Sequence, residues 1–200
     1  MKNKILEKAT ELFLIYGFKS VTMDDIANAL GISKKTIYQH FKNKTKLVEA
    51  TTLGLFNFIS NGINCICAMD KNPIEEIYEV KSFAMTHLKD EKSSPIFQLQ
   101  KYYPKIYATL KTKQYEVMQT CVVRNLKRGI KKEIYRDAID IDIIAKIYMS
   151  TLLITLKDQE LFPFPKYTVP VLMDNYIEYH LRGICTAKGM QYLEKIINKN

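Results

Sequence analysis

Residues 21–47 have the sequence VTMDDIANALGISKKTIYQHFKNKTKL, and this stretch decides the fold of the N-terminal part of the chain. Thr22 suits the N-cap of a helix whose first turn carries two aspartates, because carboxylates are favourable at the positive end of a helix. Gly31 follows where a helix C-terminus favours a residue that can adopt a positive φ. Ser33 is the next N-cap candidate and would begin a helix over 34–41. The spacing therefore predicts helix, tight turn and helix, which is typical of a helix-turn-helix.

The second helix of this pair carries the charge expected of an element that binds nucleic acid. Residues 31–47 contain five lysines and no acidic residue. Lysines that neutralise phosphates release condensed counterions, and the second helix of a helix-turn-helix enters the major groove. The alternative is a solvated lysine face on a small helical domain. We favour DNA binding because the charge, the helix caps and the turn all agree.

The same stretch resembles the DNA-binding domain of the tetracycline-repressor (TetR) family. The shared pattern is Thr22-x-x-x-Ile26-Ala27-x-x-Leu30-Gly31-Ile32-Ser33, followed by Thr36-Ile37-Tyr38-x-His40-Phe41-x-x-Lys44-x-x-Leu47. The segment 5–17 is similar to the family's first helix and leads into Tyr16-Gly17-Phe18. Lys35 departs from the pattern, because many members carry Gly there. Beyond residue 50 the resemblance is one of length and helical character.

Nine residues are expected to face DNA: Thr22, Ser33, Lys34, Lys35, Thr36, Tyr38, Gln39, His40 and Lys44. The resemblance implies two kinds of contact for eight of them. Contacts with phosphate are implied for Thr22, Tyr38, His40 and Lys44. Contacts with base edges are implied for Lys34, Lys35, Thr36 and Gln39.

Charge and composition agree with a small DNA-binding protein. The 200-residue chain is 47% hydrophobic and has a formal net charge of +9. Residues 1–50 hold nine lysines against five acids, whereas residues 51–200 hold 21 bases against 16 acids, so the basic density is concentrated at the N-terminus. Charges interrupt the apolar positions of the first residues, and no apolar run approaches the roughly 18–20 residues of a membrane span. We expect a cytoplasmic protein with no membrane partner.

The rest of the chain has helical periodicity, which predicts an all-α fold. Residues 1–47 are expected to form an N-terminal three-helix helix-turn-helix DNA-binding domain. Residues 48–200 are expected to form a C-terminal helical ligand-binding and dimerisation domain. A long helix is predicted over about 43–69. Further helices are predicted over 96–109, with a kink at a proline, and over about 111–131.

Two later segments, about 140–156 and 168–184, are apolar around most of a helix rather than along one stripe. Such helices are buried on several sides. Either both lie in the core of one protomer, or the pair forms a four-helix interface between two copies. The two-fold DNA site of a helix-turn-helix protein favours the homodimer, and the resemblance implies the same. The expected interface residues are Ile144, Ile147, Thr151, Ile154, Leu172, Tyr176 and Ile177.

The middle of the chain is rich in aromatic residues and Met, with polar side chains scattered among them. This composition is typical of a small-molecule pocket, and also of ordinary helical packing. The resemblance favours a pocket, because members of this family typically release DNA when an effector binds the helical body. The candidate lining residues are Asn61, Phe83, His87, Tyr103, Tyr107, Met118, Arg124 and Tyr148. They suggest an effector that is largely apolar or aromatic.

No catalytic, cofactor or metal site is expected. The three histidines are far apart, and the sequence has no Gly-rich phosphate loop, nucleophile elbow or metal-ligand spacing. The four cysteines, Cys65, Cys67, Cys121 and Cys185, also lack zinc-like spacing. Reduced, buried thiols are expected, and a thiol redox switch is the alternative.

These observations predict a homodimeric regulator of transcription that binds double-stranded operator DNA. The simplest form is a repressor that a small-molecule effector releases from its operator. Two alternatives stay open, namely a dimeric DNA-binding protein without an effector and a transcriptional activator.

Overall fold

The computed structural model describes residues 1–88, 95–153, 155, 158, 160–163 and 166–198, and the predicted all-α fold is confirmed. Ten helices lie in these described residues. They are α1 Lys2–Tyr16, α2 Met23–Leu30, α3 Lys34–His40, α4 Lys44–Ala68, α5 Pro73–Leu88, α6 Pro95–Tyr102, α7 Pro104–Lys131, α8 Ile141–Leu153, α9 Val169–Ile184 and α10 Ala187–Ile197. None of the described helices is both long and apolar enough to cross a membrane.

One helix boundary differs from the sequence prediction. The predicted helix over 96–109 does not continue through Pro104 with a kink, because α6 ends at Tyr102 and Pro104 is the first residue of α7. A proline lacks the backbone N–H that a helix interior needs, but it fits the first turn, where that N–H has no partner within the helix. The predicted end of the 140–156 helix is not tested, since α8 is described to Leu153 and positions 154 and 156 lie outside the described residues.

The described chain divides into two compact units. Unit 1 comprises Met1–Gly62 and Thr86–Gln114, and unit 2 comprises Ile63–Met85 and Tyr115–Asn200. Helix α4 begins in unit 1 and ends in unit 2.

Unit 1 has a core built from the inward faces of its short helices. Ile5, Ala9 and Phe13 recur every four residues along α1 and are fully buried. They pack in one cluster with Ile26 of α2 and Ile37 of α3. The three N-terminal helices pack against one another, so the polar side of α3 is presented outward.

Unit 2 has its own hydrophobic core, which contains a buried polar network. Glu76 of α5 is 2% exposed, and its carboxylate accepts hydrogen bonds from Asn125 Nδ2 (2.8 Å) and Arg128 Nη1 (2.5 Å). The buried Tyr135 hydroxyl donates to Asn125 Oδ1 at 3.0 Å. Arg128 also forms an ion pair with Asp70, with Nε 2.8 Å from Oδ1. The network joins α5 to α7, and its one buried nitrogen without a hydrogen bond of good geometry, Arg128 Nε, has only the ion pair with Asp70.

Candidate nucleic-acid interface

The turn between α1 and α2 is closed by a reciprocal cap. The Thr22 hydroxyl accepts a hydrogen bond from the Asp25 N–H (3.1 Å), and the Asp25 carboxylate accepts one from the Thr22 N–H (2.8 Å). These two bonds form a capping box. The hydrogen bonds from the Thr22 backbone and side chain lower the pKa of Asp25. Gly31 ends α2 with φ 63°, in the left-handed conformation that glycine adopts without strain.

Helix α3 is oriented by its cap and by one buried side chain. The Ser33 hydroxyl accepts a hydrogen bond from the Thr36 N–H at 3.1 Å. Ile37 is fully buried and points into the core of unit 1. The residues that α3 exposes are Lys34, Lys35, Tyr38, Gln39 and His40, and Thr36 is half-buried. The helix therefore presents a polar and basic face opposite Ile37.

Lys34 has an intramolecular partner that the sequence pattern did not reveal. Its Nζ donates to Asp24 Oδ2 at 2.7 Å, across the turn between α2 and α3. This hydrogen bond raises the pKa of Lys34. Both side chains are exposed, so the pair can open when a different acceptor approaches.

Lys44, the first residue of α4, is held against the turn that precedes α2. Its Nζ donates to the Lys19 carbonyl oxygen at 3.3 Å, and its partial burial lowers its pKa. The same turn contacts α6, because the Lys19 N–H donates to Gln98 Oε1 at 3.0 Å. The Lys19 ammonium also lies 5.3 Å from the ring centre of Tyr102. Sequence reasoning missed Lys19 and Gln98, because the bond joins residues 79 positions apart.

The eight candidate pocket residues are divided between the two units. Unit 1 holds Asn61, His87, Tyr103 and Tyr107, and unit 2 holds Phe83, Met118, Arg124 and Tyr148. The His87 ring meets the Phe58 ring edge-on at 4.8 Å. Four of the eight pack against a hydrophobic core, Tyr103 and Tyr107 in unit 1 and Met118 and Tyr148 in unit 2. The lining of an effector pocket stays a prediction.

Unit 2 has a cavity of about 550 Å³ along α7. Its lining residues are Gln119, Thr120, Val123, Arg124, Lys127, Arg128 and Lys131. Arg124 is the member of the predicted pocket set that lines it. All seven residues belong to one helix, so the cavity is a groove along the outside of α7.

The predicted interface residues have different environments in the protomer. Ile147 is 49% exposed, whereas Ile177 is 1% exposed and belongs to the core of unit 2. Ile177 is therefore buried within its own protomer. For this position the structure agrees with the alternative that the segment lies in the core of one protomer. The residues Ile144, Thr151, Leu172 and Tyr176 are half-buried. Ile154 lies outside the described residues.

Three further exposed apolar side chains of α8 and α9 were not among the predicted interface residues. They are Ile143 on α8, which is 54% exposed, and Val171 and Tyr179 on α9, which are 54% and 77% exposed. Helices α8 and α9 pack together through Tyr148 and Tyr176, whose ring centres are 5.9 Å apart. A fully apolar sequence pattern could not separate these exposed positions from the buried ones.

The chain is similar to several known bacterial regulators of transcription. Residues 5–51 match the family described as "Bacterial regulatory proteins, tetR family". The biofilm operon icaADBC HTH-type negative transcriptional regulator IcaR of Staphylococcus aureus (strain Newman) is 26% identical over 136 residues, which cover 67% of each chain. IcaR of Staphylococcus epidermidis is 34% identical over 58 residues, covering 29% of this chain and 31% of that protein.

Two solved structures show the same fold. A transcriptional regulator described as putative from Saccharomonospora viridis, in complex with choline, has a TM-score of 0.68 and 23% identity, over 92% of this chain and 97% of that chain. A Clostridium perfringens protein described as a putative fatty acid metabolism regulator has a TM-score of 0.62 and 22% identity, over 92% and 99%. Together with the capped helix-turn-helix of residues 22–40, the match identifies residues 5–51 as a DNA-binding domain of the TetR family of transcription regulators.

Proposed function

We propose that this regulator is a homodimeric repressor, that α3 of each protomer reads one half of a two-fold operator, and that a small molecule releases it. The proposal that α3 recognises DNA rests on its polar, basic face, which lies opposite the buried Ile37. The relatedness to IcaR, described as a negative regulator, favours repression over activation. We further propose residues 1–47 as the DNA-binding domain and residues 48–200 as the effector and dimerisation domain, acting in the cytoplasm without catalysis.

The DNA contacts divide by the position of each side chain. Lys44 and Thr22 lie at helix N-termini beside the turn, where backbone N–H groups and charge favour phosphate. Gln39 and Lys35 are exposed on α3, the helix expected in the major groove. On binding DNA, Lys34 would break its ion pair with Asp24 and contact a base edge instead. Until then, Asp24 partly neutralises the charge of Lys34.

Lys44→Ala is expected to weaken binding to all DNA sequences and to lower the slope of log affinity against log salt by about one. The reason is the loss of one phosphate contact. Gln39→Ala is expected to change sequence preference more than general affinity, because an amide side chain reads base edges. Fluorescence titrations of operator and unrelated duplexes at several salt concentrations measure both effects.

Lys127→Ala is the matched control, since Lys127 is an exposed lysine on α7 of unit 2 and its removal changes the net charge equally. Its slope should stay that of the unmodified protein. If the Lys44 variant kept its affinity and slope, Lys44 would not contact phosphate.

The homodimer is supported by the exposed apolar patch of Ile143, Ile147, Val171 and Tyr179, which we call the α8–α9 patch. Ile143 and Ile147 are one helical turn apart, and Val171 and Tyr179 are two turns apart, so each pair lies on one side of its helix. Exposed apolar side chains grouped on two packed helices are typical of protein interfaces. A two-fold operator needs two recognition helices about 34 Å apart, which one protomer cannot supply.

Release by an effector requires a link between the helical body and the DNA contacts. Within unit 1, Gln98 and Tyr102 of α6 contact Lys19, whose carbonyl also holds Lys44. A shift of α6 would therefore move the turn that positions a phosphate-binding lysine. An effector lowers DNA affinity only if it binds the released conformation more tightly than the DNA-bound one.

A lipophilic or aromatic compound that is an effector should raise the midpoint of thermal unfolding by about 5–10 °C at roughly a hundred times its Kd. It should also release operator DNA. The reciprocal measurement is the control: operator duplex should weaken binding of the compound by the same factor, whereas an unrelated duplex should not. A compound that stabilises the protein but leaves operator affinity unchanged would contradict gating. An absence of hits across a broad library would favour the effector-free alternative.

A further inference from the structure

Two cysteines from distant parts of the sequence meet in unit 2. Cys67 lies near the end of α4 and is 4% exposed, and Cys121 lies on α7 and is half-buried. The Cys121 thiol is 3.7 Å from Asn64 Oδ1, and Asn64 precedes Cys67 by about one helical turn. Asn64 and Cys67 therefore share the face of α4 that is turned to Cys121. The two thiols are also close enough for each to shift the pKa of the other.

The surroundings give the two thiols different protonation states. The interaction with the Cys121 thiol lowers the pKa of Cys67 to about 7, and the guanidinium of Arg124 acts in the same direction. The same interaction raises the pKa of Cys121, which keeps its proton. Arg124 lies one turn after Cys121 and lines the groove along α7, so a solvent-filled groove runs beside the half-buried Cys121 while Cys67 is the buried member of the pair. One thiolate beside one thiol is the arrangement that thiol–disulfide chemistry uses.

We propose that Cys67 and Cys121 form an oxidative modification site, at which a small hydroperoxide converts the two thiols into a disulfide between α4 and α7. The site does not depend on the proposed repressor function, because its chemistry can be followed on the protein without DNA.

The reaction has two balanced steps. The Cys67 thiolate sulfur attacks the terminal peroxide oxygen, the O–O bond breaks, and Cys67 becomes a sulfenic acid while the other oxygen leaves as hydroxide or alkoxide and takes up the proton that the thiol had released to the buffer. The Cys121 sulfur then attacks the Cys67 sulfur, the S–O bond breaks, and the leaving hydroxyl takes the Cys121 proton as water. Two thiols lose two electrons, and the peroxide is reduced by two.

The chain supplies two internal controls. Cys65 is on the same helix, two residues from Cys67, and is exposed. Cys185 is buried in the core of unit 2, and burial raises its pKa to about 11. Access alone would favour oxidation of Cys65, whereas the paired geometry selects Cys67 and Cys121.

The test treats the reduced full-length protein with hydrogen peroxide at neutral pH, alkylates the remaining thiols and maps the peptides by mass spectrometry. The expected product is a peptide pair joined through Cys67 and Cys121, with Cys65 and Cys185 alkylated. Dithiothreitol should restore both thiols. Cys65→Ser and Cys185→Ser should form the same disulfide at an unchanged rate.

Three variants examine the order of events. In Cys121→Ser, dimedone should trap a sulfenic acid on Cys67. In Cys67→Ser, oxidation of Cys121 should slow by more than tenfold. In Arg124→Gln, the pH dependence of disulfide formation should shift to higher pH than in the unmodified protein. Disulfides that involve Cys65 in place of Cys67, or oxidation of all four thiols at similar rates in the unmodified chain, would overturn the proposal whether or not the variants fold.

Discussion

Replacing Ile147 by Asp is expected to convert the protein from a dimer into monomers. Ile147 is 49% exposed in the protomer, so a carboxylate there stays solvated when the chain is alone. In the proposed dimer the same carboxylate would be buried without a partner, at a cost of several kcal/mol. Sedimentation at micromolar concentration should show monomers with an unchanged helical circular dichroism spectrum. Operator affinity should fall steeply, because the two half-sites are no longer read by a linked pair.

Two matched variants separate dissociation from unfolding. Tyr192→Asp places the same charge at an exposed aromatic residue of α10, outside the α8–α9 patch, and should leave a dimer. Ile177→Asp places it in the core of unit 2 and should lose helical signal as well as assembly. Monomeric wild-type protein at micromolar concentration, or a dimeric Ile147 variant, would contradict the two-fold model.

Glu76→Ala is expected to destabilise the protein by about 3 kcal/mol. The side chain is 2% exposed and accepts hydrogen bonds from both Asn125 and Arg128. Its removal leaves the buried amide of Asn125 and the largely buried guanidinium of Arg128 without one of their acceptors. A buried donor without an acceptor destabilises the folded state by more than the net contribution of the hydrogen bond that is lost. Urea unfolding followed by circular dichroism measures the change, with protein concentration held constant because assembly contributes to stability.

Glu79, three residues after Glu76 on α5, supplies the control substitution. Glu79 forms an ion pair with Lys71 at 2.6 Å, and both side chains are about 40% exposed. Glu79→Ala should therefore cost no more than about 1 kcal/mol. Tyr135→Phe, which removes one hydroxyl donor to Asn125, should cost about 1 kcal/mol. If the Glu76 and Glu79 substitutions lowered the free energy of unfolding equally, the buried network would contribute little to stability.

The N-terminal fold could be predicted from the sequence because its determinants are local. Thr22, Gly31 and Ser33 act on the helix ends next to them, and the structure shows caps at the predicted places. The four-residue spacing of apolar residues selects the buried face of α1 in the same way. Six of the nine residues proposed to face DNA then follow as the positions of α3 other than the buried Ile37.

Local signals were also enough to show that Pro104 perturbs its helix, but not in which way. A proline inside an apolar repeat is compatible with a kinked helix and with a new helix start. The structure has the new start, and α7 then runs without interruption to Lys131. Similarly, the segments 140–156 and 168–184 are apolar nearly all round, so periodicity could not show that Ile177 is buried and Ile147 exposed.

The sequence by itself therefore determined the helical class, the capped helix-turn-helix and the resemblance of the N-terminal domain to the TetR family. Only the tertiary structure decided the contacts between distant segments: Lys19 with Gln98, Glu76 with Asn125 and Arg128, and Cys67 with Cys121. The physical reason is the range of the forces involved. Caps and apolar spacing act within a few residues, whereas a hydrogen bond between residues some 50 to 80 positions apart exists only after packing has brought their helices together.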